Sequence, residues 1–441
     1  MQSQSQDHQH AMPHWHCAPS TLQEQLEWEQ VLSGKASDAA ELQAHQPGPA
    51  QAHATHGIDS WDCAVLQPSA FSHAAALPKD AAAWDEAMGG KTEHAASTPL
   101  PACAVVIGSH SVMAVVHDGR REVARAYQDS MLGHGLTRGA HLCTGAVAST
   151  AHALSHVAAA WHQTAGGVPP QVAATRVQAV GTAALRECAD AAPVAHAVQR
   201  LLGAELRVIS ASEEGRLSFA GATAGLPAGQ LCVLIDMGGR SSEVAVGVAG
   251  PSLEVQVASI PLGCSTFQHD PFASAADTLA SCKQQAQAIV AAHRDVLDSL
   301  LSQHPKARGD AGVFVMVTGG TATTAAALLA GLAEYDRRRV HHAELGPLSC
   351  LEELAEQLLM SGTLTEAGTQ PSGTTRGAGN WPVWLTASRA ASMPAGCIVL
   401  VELARAVCGA VGEDERHVLV SDRDLLDALL DGLLSMRARH S

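Results

Sequence analysis

Basic residues are scarce in this chain of 441 residues. Only 27 Lys and Arg stand against 43 Asp and Glu, a formal net charge of −16. Such a balance argues against broad, non-specific contact with nucleic acid or an anionic membrane, because both depend on cationic side chains neutralising phosphate. A polyanion can then be held only by a local cluster of Arg, backbone amides and metal. Long apolar runs are also missing; the stretch at 397–401 is among the longest and is far too short to span a bilayer. Paired metal-ligand spacing is absent among the 11 Cys, an odd count, and no signal peptide is visible. Reduced thiols in a cytoplasmic setting are the expectation.

The first 100 residues contain no Arg and no strand-like run. They are rich in Gln, His, Ala, Ser and Pro, a composition too poor in core-forming residues to offset the entropy of ordering. A mostly disordered segment is expected, with one short helix over 21–32. His8, His10, His14 and His16 invite a metal-binding reading, but a low-complexity tail accounts for them more simply. An organelle-import segment would carry Arg, which is lacking here.

From residue 101 the pattern changes. An apolar strand at 103–107 ends in Gly108-Ser109-His110-Ser111, and two more strands follow at 112–116 and 122–127. A helix over 146–162 is stopped by Gly166-Gly167 and Pro169-Pro170. Strands at 177–180 and 206–209 come next, and Ser212-Glu213-Glu214 opens a helix. A second cycle repeats the plan: a strand at 231–235, the turn Asp236-Met237-Gly238-Gly239-Arg240-Ser241-Ser242, strands at 243–248 and 253–260, and one long helix over 275–301. A strand at 313–317 then runs into Thr318-Gly319-Gly320-Thr321 and a helix over 322–332. Further helices are expected from Ser349, Ser388 and the neighbourhood of Asp424, with a loop over 362–380. This repeated order predicts an α/β fold of two actin-like, ribonuclease-H-like (ASKHA) lobes, 101–228 and 229–433, with a cleft between them. The last helices are expected to pack back on the first lobe.

A strand that ends in Gly and Ser presents backbone N–H groups with little obstruction, and such a concave run of amides binds phosphate oxygens. Two facing turns would clamp a phosphate chain. Asp236 directly before the second turn and Glu243 seven residues later offer carboxylates to Mg²⁺; taken singly, each is equally well a turn-initiating or strand-surface acid. Glu213-Glu214 reads either as helix-start acids favoured by the dipole or as a general base that orients water. Arg186 is the candidate for neutralising charge on a transferred phosphoryl group, against the plainer reading of a surface ion pair.

Several segments resemble the exopolyphosphatase / guanosine-pentaphosphate phosphatase family in the right order. Residues 104–111 resemble its first phosphate loop, A-x-D-x-G-S-N-S. Residues 181–187 resemble A-T-x-A-x-R-x, 209–217 I-S-G-x-E-E-A-x-L, and 235–243 I-D-I-G-G-G-S-T-E. Residues 259–263, 318–321, 389–396 and 420–422 are similar to its later elements. The match spans roughly three quarters of the chain.

The resemblance implies Mg²⁺-dependent release of terminal phosphate from inorganic polyphosphate or guanosine pentaphosphate. Glu214 would activate water, Arg186 would belong to the catalytic group, and Asp236 and Glu243 would hold the metal. Gly108, Ser109, His110, Ser111, Gly238, Gly239, Arg240, Ser241 and Ser242 would hold phosphate, with Gly319, Gly320 and Thr321 as a third contact. A homodimer is a candidate assembly. Three positions depart from the pattern: Val106 replaces the first loop's Asp, His110 its Asn, and Arg240 the second loop's third Gly. These departures keep open a regulatory protein that binds a polyphosphate or guanosine polyphosphate without turnover. An actin-like kinase fits the segment at 209–214 less well.

Overall fold

A computed structural model of the chain describes residues 100–250, 254–267, 274–302, 312–363, 381–412 and 417–436. The disorder and short helix expected before residue 100, and the loop expected at 364–380, lie outside the described residues.

Strand β1 (Ala102–Ile107) is apolar at every position and buried throughout, the pattern of a central strand covered on both faces. It turns back into β2 (Ser111–His117), and β2 into β3 (Glu122–Asp129), whose charged residues suit a sheet edge. Helices α1 (Thr144–Ala165) and α2 (Pro170–Thr175) lead to β4 (Val177–Gly181), parallel to β1. Helices α3 (Ala183–Glu187) and α4 (Ala192–Leu202) lead to β5 (Leu206–Val208), parallel to β4. The sheet order is β3-β2-β1-β4-β5.

Helix α5 (Ala211–Thr223) connects to the second unit. There β6 (Leu231–Met237), β7 (Ser242–Val248) and β8 (Gln256–Ile260) form another antiparallel meander. Helices α6 (Ala275–Ala292) and α7 (Arg294–Ser302) precede β9 (Phe314–Thr318). Helices α8 (Gly320–Leu329), α9 (Arg337–Val340), α10 (Ser349–Thr363) and α11 (Ala387–Val411) precede β10 (Val418–Val420), and α12 (Leu425–Ser435) closes the described fold. The order β8-β7-β6-β9-β10 repeats the first sheet strand for strand.

The period-two alternation of the central strands decides what covers each face. Cys103, Val105 and Ile107 enter a core with Leu154 and Trp161 of α1 and Val198 of α4. Ala102, Ala104 and Val106 instead meet the leucines of α12, from Leu425 to Leu433. In β6, Val233, Ile235 and Met237 face the large core containing α11, whereas Cys232 and Leu234 meet Phe219 and Ala222 of α5. Helices α5 and α12 thus line the inner faces of the two sheets and touch each other. A Cβ on Gly221 would stand 1.9 Å from the Asp424 carbonyl oxygen, so only glycine permits this approach.

Three expectations need correction. The helix expected over 275–301 is two helices: the His293 N–H bonds back to the Ile289 and Val290 carbonyls, and α7 starts afresh at Arg294. The strand expected from 253 begins at Gln256, with 251–253 outside the described residues. The expected loop start at Gly362 is still helical, because α10 runs to Thr363. Helix α11 is long and apolar enough to cross a membrane by length and composition, with a mean hydropathy of 1.7. However, 72% of that window is buried, and buried Arg389 and Glu402 interrupt it, so it serves as the core helix of the second unit.

Candidate active site

The two Gly-rich turns are built alike. In the first, the Gly108 N–H donates to the Ser111 carbonyl at 2.9 Å; in the second, the Gly238 N–H donates to the Ser241 carbonyl at 3.0 Å. They lie against each other, since a Cβ on Gly239 would stand 3.2 Å from the Ser109 Cβ and 3.3 Å from the His110 nitrogen. Both turns line a cavity of about 80 Å³, room for several waters. A third wall comes from the start of α8 at Gly319 and Gly320. Gly319 has φ +98 and would press a Cβ to 2.4 Å from the Met237 carbonyl oxygen, so glycine is needed to bring α8 to the end of β6. No side chain caps α8, which leaves its first N–H groups directed at the cavity.

Carboxylates gather at the floor. Ser210 caps α5 by accepting from the Glu213 N–H. The helical turn then separates the two acids: Glu213 is exposed and pairs with Arg207, while Glu214 is buried and lines the cavity. The Arg186 guanidinium donates to Glu214 Oε2 at 2.5 Å, and its other terminal nitrogen lies 3.9 Å from Glu243 Oε1. Asp236 and Glu243 are cross-strand partners on β6 and β7 and therefore share a face. Ser218 donates to Asp236, and Ser259 donates to Glu243 at 2.8 Å.

Burial raises the pKa of Glu214, opposed by the Arg186 charge and hydrogen bond. Burial and the nearby Glu214 push Asp236 up to about 7, against the Ser218 hydrogen bond. Glu243 is raised well above its usual value by burial and then by the charges of Glu214 and Asp236. These three acids crowd together, with Arg186 paired to Glu214 and 3.9 Å from Glu243.

Most of the residues named from sequence come together here. Gly108, Ser109, His110, Ser111, Glu214, Asp236, Gly238, Gly239, Arg240, Ser241, Gly319 and Gly320 all line the cavity. Arg186 and Glu243 stand directly behind Glu214. Two of the expected phosphate ligands do not reach the cavity. Ser242 follows the pleat to the face opposite Glu243 and donates to the Leu262 carbonyl at 2.6 Å. Thr321, in the first turn of α8, is buried against α11, where a Cβ on Gly396 would stand 2.8 Å from its hydroxyl. His110 is buried with its Nε2 3.2 Å from Asp129 Oδ1, and burial keeps it below the usual histidine pKa.

Two charged residues of the cavity were not assigned from sequence. Arg389, on α11, is 7% exposed, and among the described residues no carboxylate forms an ion pair with it. It lies over the Tyr127 ring at 5.1 Å, and burial alone lowers its pKa to about 10. A buried cation without an anionic partner is suited to an anionic ligand. Asp424 caps α12 in a capping box with Asp427, and burial together with Asp427 and Asp236 raises it to about 7. Asp424 enters the cavity beside Val106, where β1 supplies no carboxylate.

The donor set also fits a hydrated magnesium ion. Among the described residues, no three His, Cys, Asp or Glu side chains converge as a metal cage. Mg²⁺ does not require one, because it keeps several waters and is bound through one or two carboxylates and substrate phosphates. Asp236 lines the cavity and Glu243 is its cross-strand partner, a donor set of that size.

Residues 123–408 match the Ppx/GppA phosphatase family. The chain belongs to that family. Among curated proteins, Exopolyphosphatase 2 of Mycobacterium tuberculosis (strain ATCC 25618 / H37Rv) is 28% identical over 262 residues, covering 58% of this chain and 74% of the relative. Among solved structures, an exopolyphosphatase from Cytophaga hutchinsonii superposes with TM-score 0.56 at 16% identity, over 76% of this chain and 98% of that one. The Aquifex aeolicus member of the Ppx/GppA family gives TM-score 0.52 at 21% identity, over 78% and 99%. This Ppx/GppA chain therefore has the family's fold of two actin-like lobes.

Proposed function

We propose that the protein is a phosphohydrolase that releases terminal orthophosphate from inorganic polyphosphate or guanosine pentaphosphate by attack of water that Glu214 deprotonates. The observation that carries this reading is Glu214 itself. It is a buried, charge-paired carboxylate at the floor of a cavity walled in part by the two Gly-rich turns, the start of α8 and Arg389, which has no ion-pair partner among the described residues. Water oxygen forms a bond to the terminal phosphorus, and its proton passes to Glu214. The terminal P–O anhydride bond breaks, and its electron pair leaves with the shortened chain. Arg186 opposes the upward shift that burial gives Glu214 and aims its carboxylate. The two turns and the start of α8 hold the phosphate oxygens, with amides placed before charge develops. A magnesium ion at Asp236 and Glu243 would supply charge neutralisation on those oxygens.

Purified protein with Mg²⁺ is expected to release orthophosphate from long-chain polyphosphate or guanosine pentaphosphate. Release from neither would overturn the proposal. A cytoplasmic setting and a homodimer are carried as parts of the same proposal.

Arg186→Gln removes the charge that opposes the upward shift of Glu214. The acidic limb of the pH–rate profile should then move to higher pH. A limb that stays in place would exclude Glu214 as the titrating base.

A second reading is a polyphosphate- or guanosine-polyphosphate-binding regulator without turnover. Val106, 1% exposed and packed on α12 where the family pattern has Asp, favours it. The same assay separates the two, since binding without release supports the regulator.

A further inference from the structure

Arg240 stands in the β6–β7 turn of the second lobe, where the family pattern has glycine, and its side chain crosses the cleft. Its Nε and Nη2 donate to Glu187 Oε2 at 2.9 and 2.6 Å, and its Nη1 donates to the Gly133 carbonyl at 3.0 Å. Glu187 ends α3, and Gly133 follows β3, so all three bonds run from the second lobe to the first. The fit is made for this side chain: a Cβ on Gly133 would stand 2.6 Å from the Arg240 Cδ and 2.8 Å from the Ser109 Cβ. Arg240 also lines the cavity. Its guanidinium is therefore a neighbour of the phosphate turns while its donors are committed to the opposite lobe.

Arg240 and Glu187 are both about one-fifth exposed, and a single carboxylate oxygen takes both donors of the fork. A partly solvated pair of this kind contributes little. A phosphate chain offers several anionic oxygens to a planar guanidinium, which it binds in bidentate fashion. We propose that Arg240 and Glu187 form an exchangeable latch across the cleft: a linear phosphate chain takes Arg240 from Glu187, so that Glu187 weakens the binding of every chain that enters. The latch rests on the phosphate cleft proposed above and assigns Glu187 and Gly133, which no sequence motif singled out. Glu187 is a positioning residue that acts through Arg240, adjacent in sequence to Arg186 and opposite to it in effect.

The test is equilibrium binding of inorganic tripolyphosphate by calorimetry, in a Glu214→Gln background so that turnover does not consume the probe. Glu187→Gln should tighten binding about two- to fivefold at low salt, as expected for release of a competing partly exposed ion pair. Arg240→Gln should weaken binding and abolish the effect of Glu187→Gln, whereas Arg240→Lys should retain part of it. This coupling separates an exchange partner from a merely structural contact. Thermal melting checks that each variant is folded. If the background protein binds and a folded Glu187→Gln variant binds no tighter, the latch is overturned while the cleft stands. A gain from Glu187→Gln that persists in Arg240→Gln also overturns it. Binding by neither the background protein nor Glu187→Gln overturns both cleft and latch.

Discussion

Glu214→Gln is expected to lower phosphate release by a factor on the order of 10²–10⁴, the usual contribution of a positioned general base. Gln keeps the volume of Glu and can still accept from Arg186, so the variant should fold and bind phosphate chains about as well as the parent. Its defect should lie in turnover. The nearby acids are held by other groups, Asp424 by capping α12, where it accepts from the Leu426 N–H at 2.8 Å. Glu213 is turned away to Arg207, Asp236 accepts from Ser218, and Glu243 accepts from Ser259 behind the cavity wall. A variant retaining more than about a tenth of parental turnover would show that water needs no base here, as in a reaction driven by positioning and charge alone.

Asp236→Asn is expected to raise the stability of the ligand-free protein at neutral pH while removing activity. In the fold the Asp236 pKa stands at about 7 against an ordinary 3.8, raised first by burial. A raised carboxyl favours the protonated form in the fold. Its contribution is fully favourable below about pH 4 and is lost as the pH rises towards 7. Melting temperature should therefore fall across that interval, in part through this residue, and the fall should be shallower in Asp236→Asn. The shift of about 3 units corresponds to at most about 4 kcal/mol, and solvent in the cleft reduces this to about 1–3 kcal/mol. Mg²⁺ should raise the melting temperature of the parent at pH 7 and leave Asp236→Asn nearly unmoved. An Asn variant less stable than the parent at pH 7, or equally stabilised by Mg²⁺, would contradict this.

The repeat of the two lobes was readable because the central strands β1 and β6 are buried on both faces and so appear as unbroken apolar runs. The two turns were readable because Gly and Ser follow those runs directly. Period two, applied more strictly, would have placed Ser242 correctly: Glu243 shares a face with Asp236, so Ser242 must point away with its partner Met237, into the core. The helix break at His293 has neither Pro nor Gly to announce it. Arg389 and Asp424 reach the cavity only after α11 and α12 have packed. Each begins a helix, where capping explains the neighbourhood but not the direction of the side chain. The bond between Arg240 and Glu187 joins residues 53 apart in the chain. Nothing local to either position signals it, because a lone Arg in a turn most often meets solvent.

The central claim is that water, activated by Glu214, attacks the terminal phosphorus of a chain held between the two turns. Its most direct test is hydrolysis of polyphosphate in ¹⁸O-enriched water with Mg²⁺, followed by mass spectrometry of the products. The account predicts one solvent oxygen in each released orthophosphate and none in the shortened chain, with the labelled release lost in Glu214→Gln. Label appearing in the residual chain, or labelled release undiminished in Glu214→Gln, would contradict it.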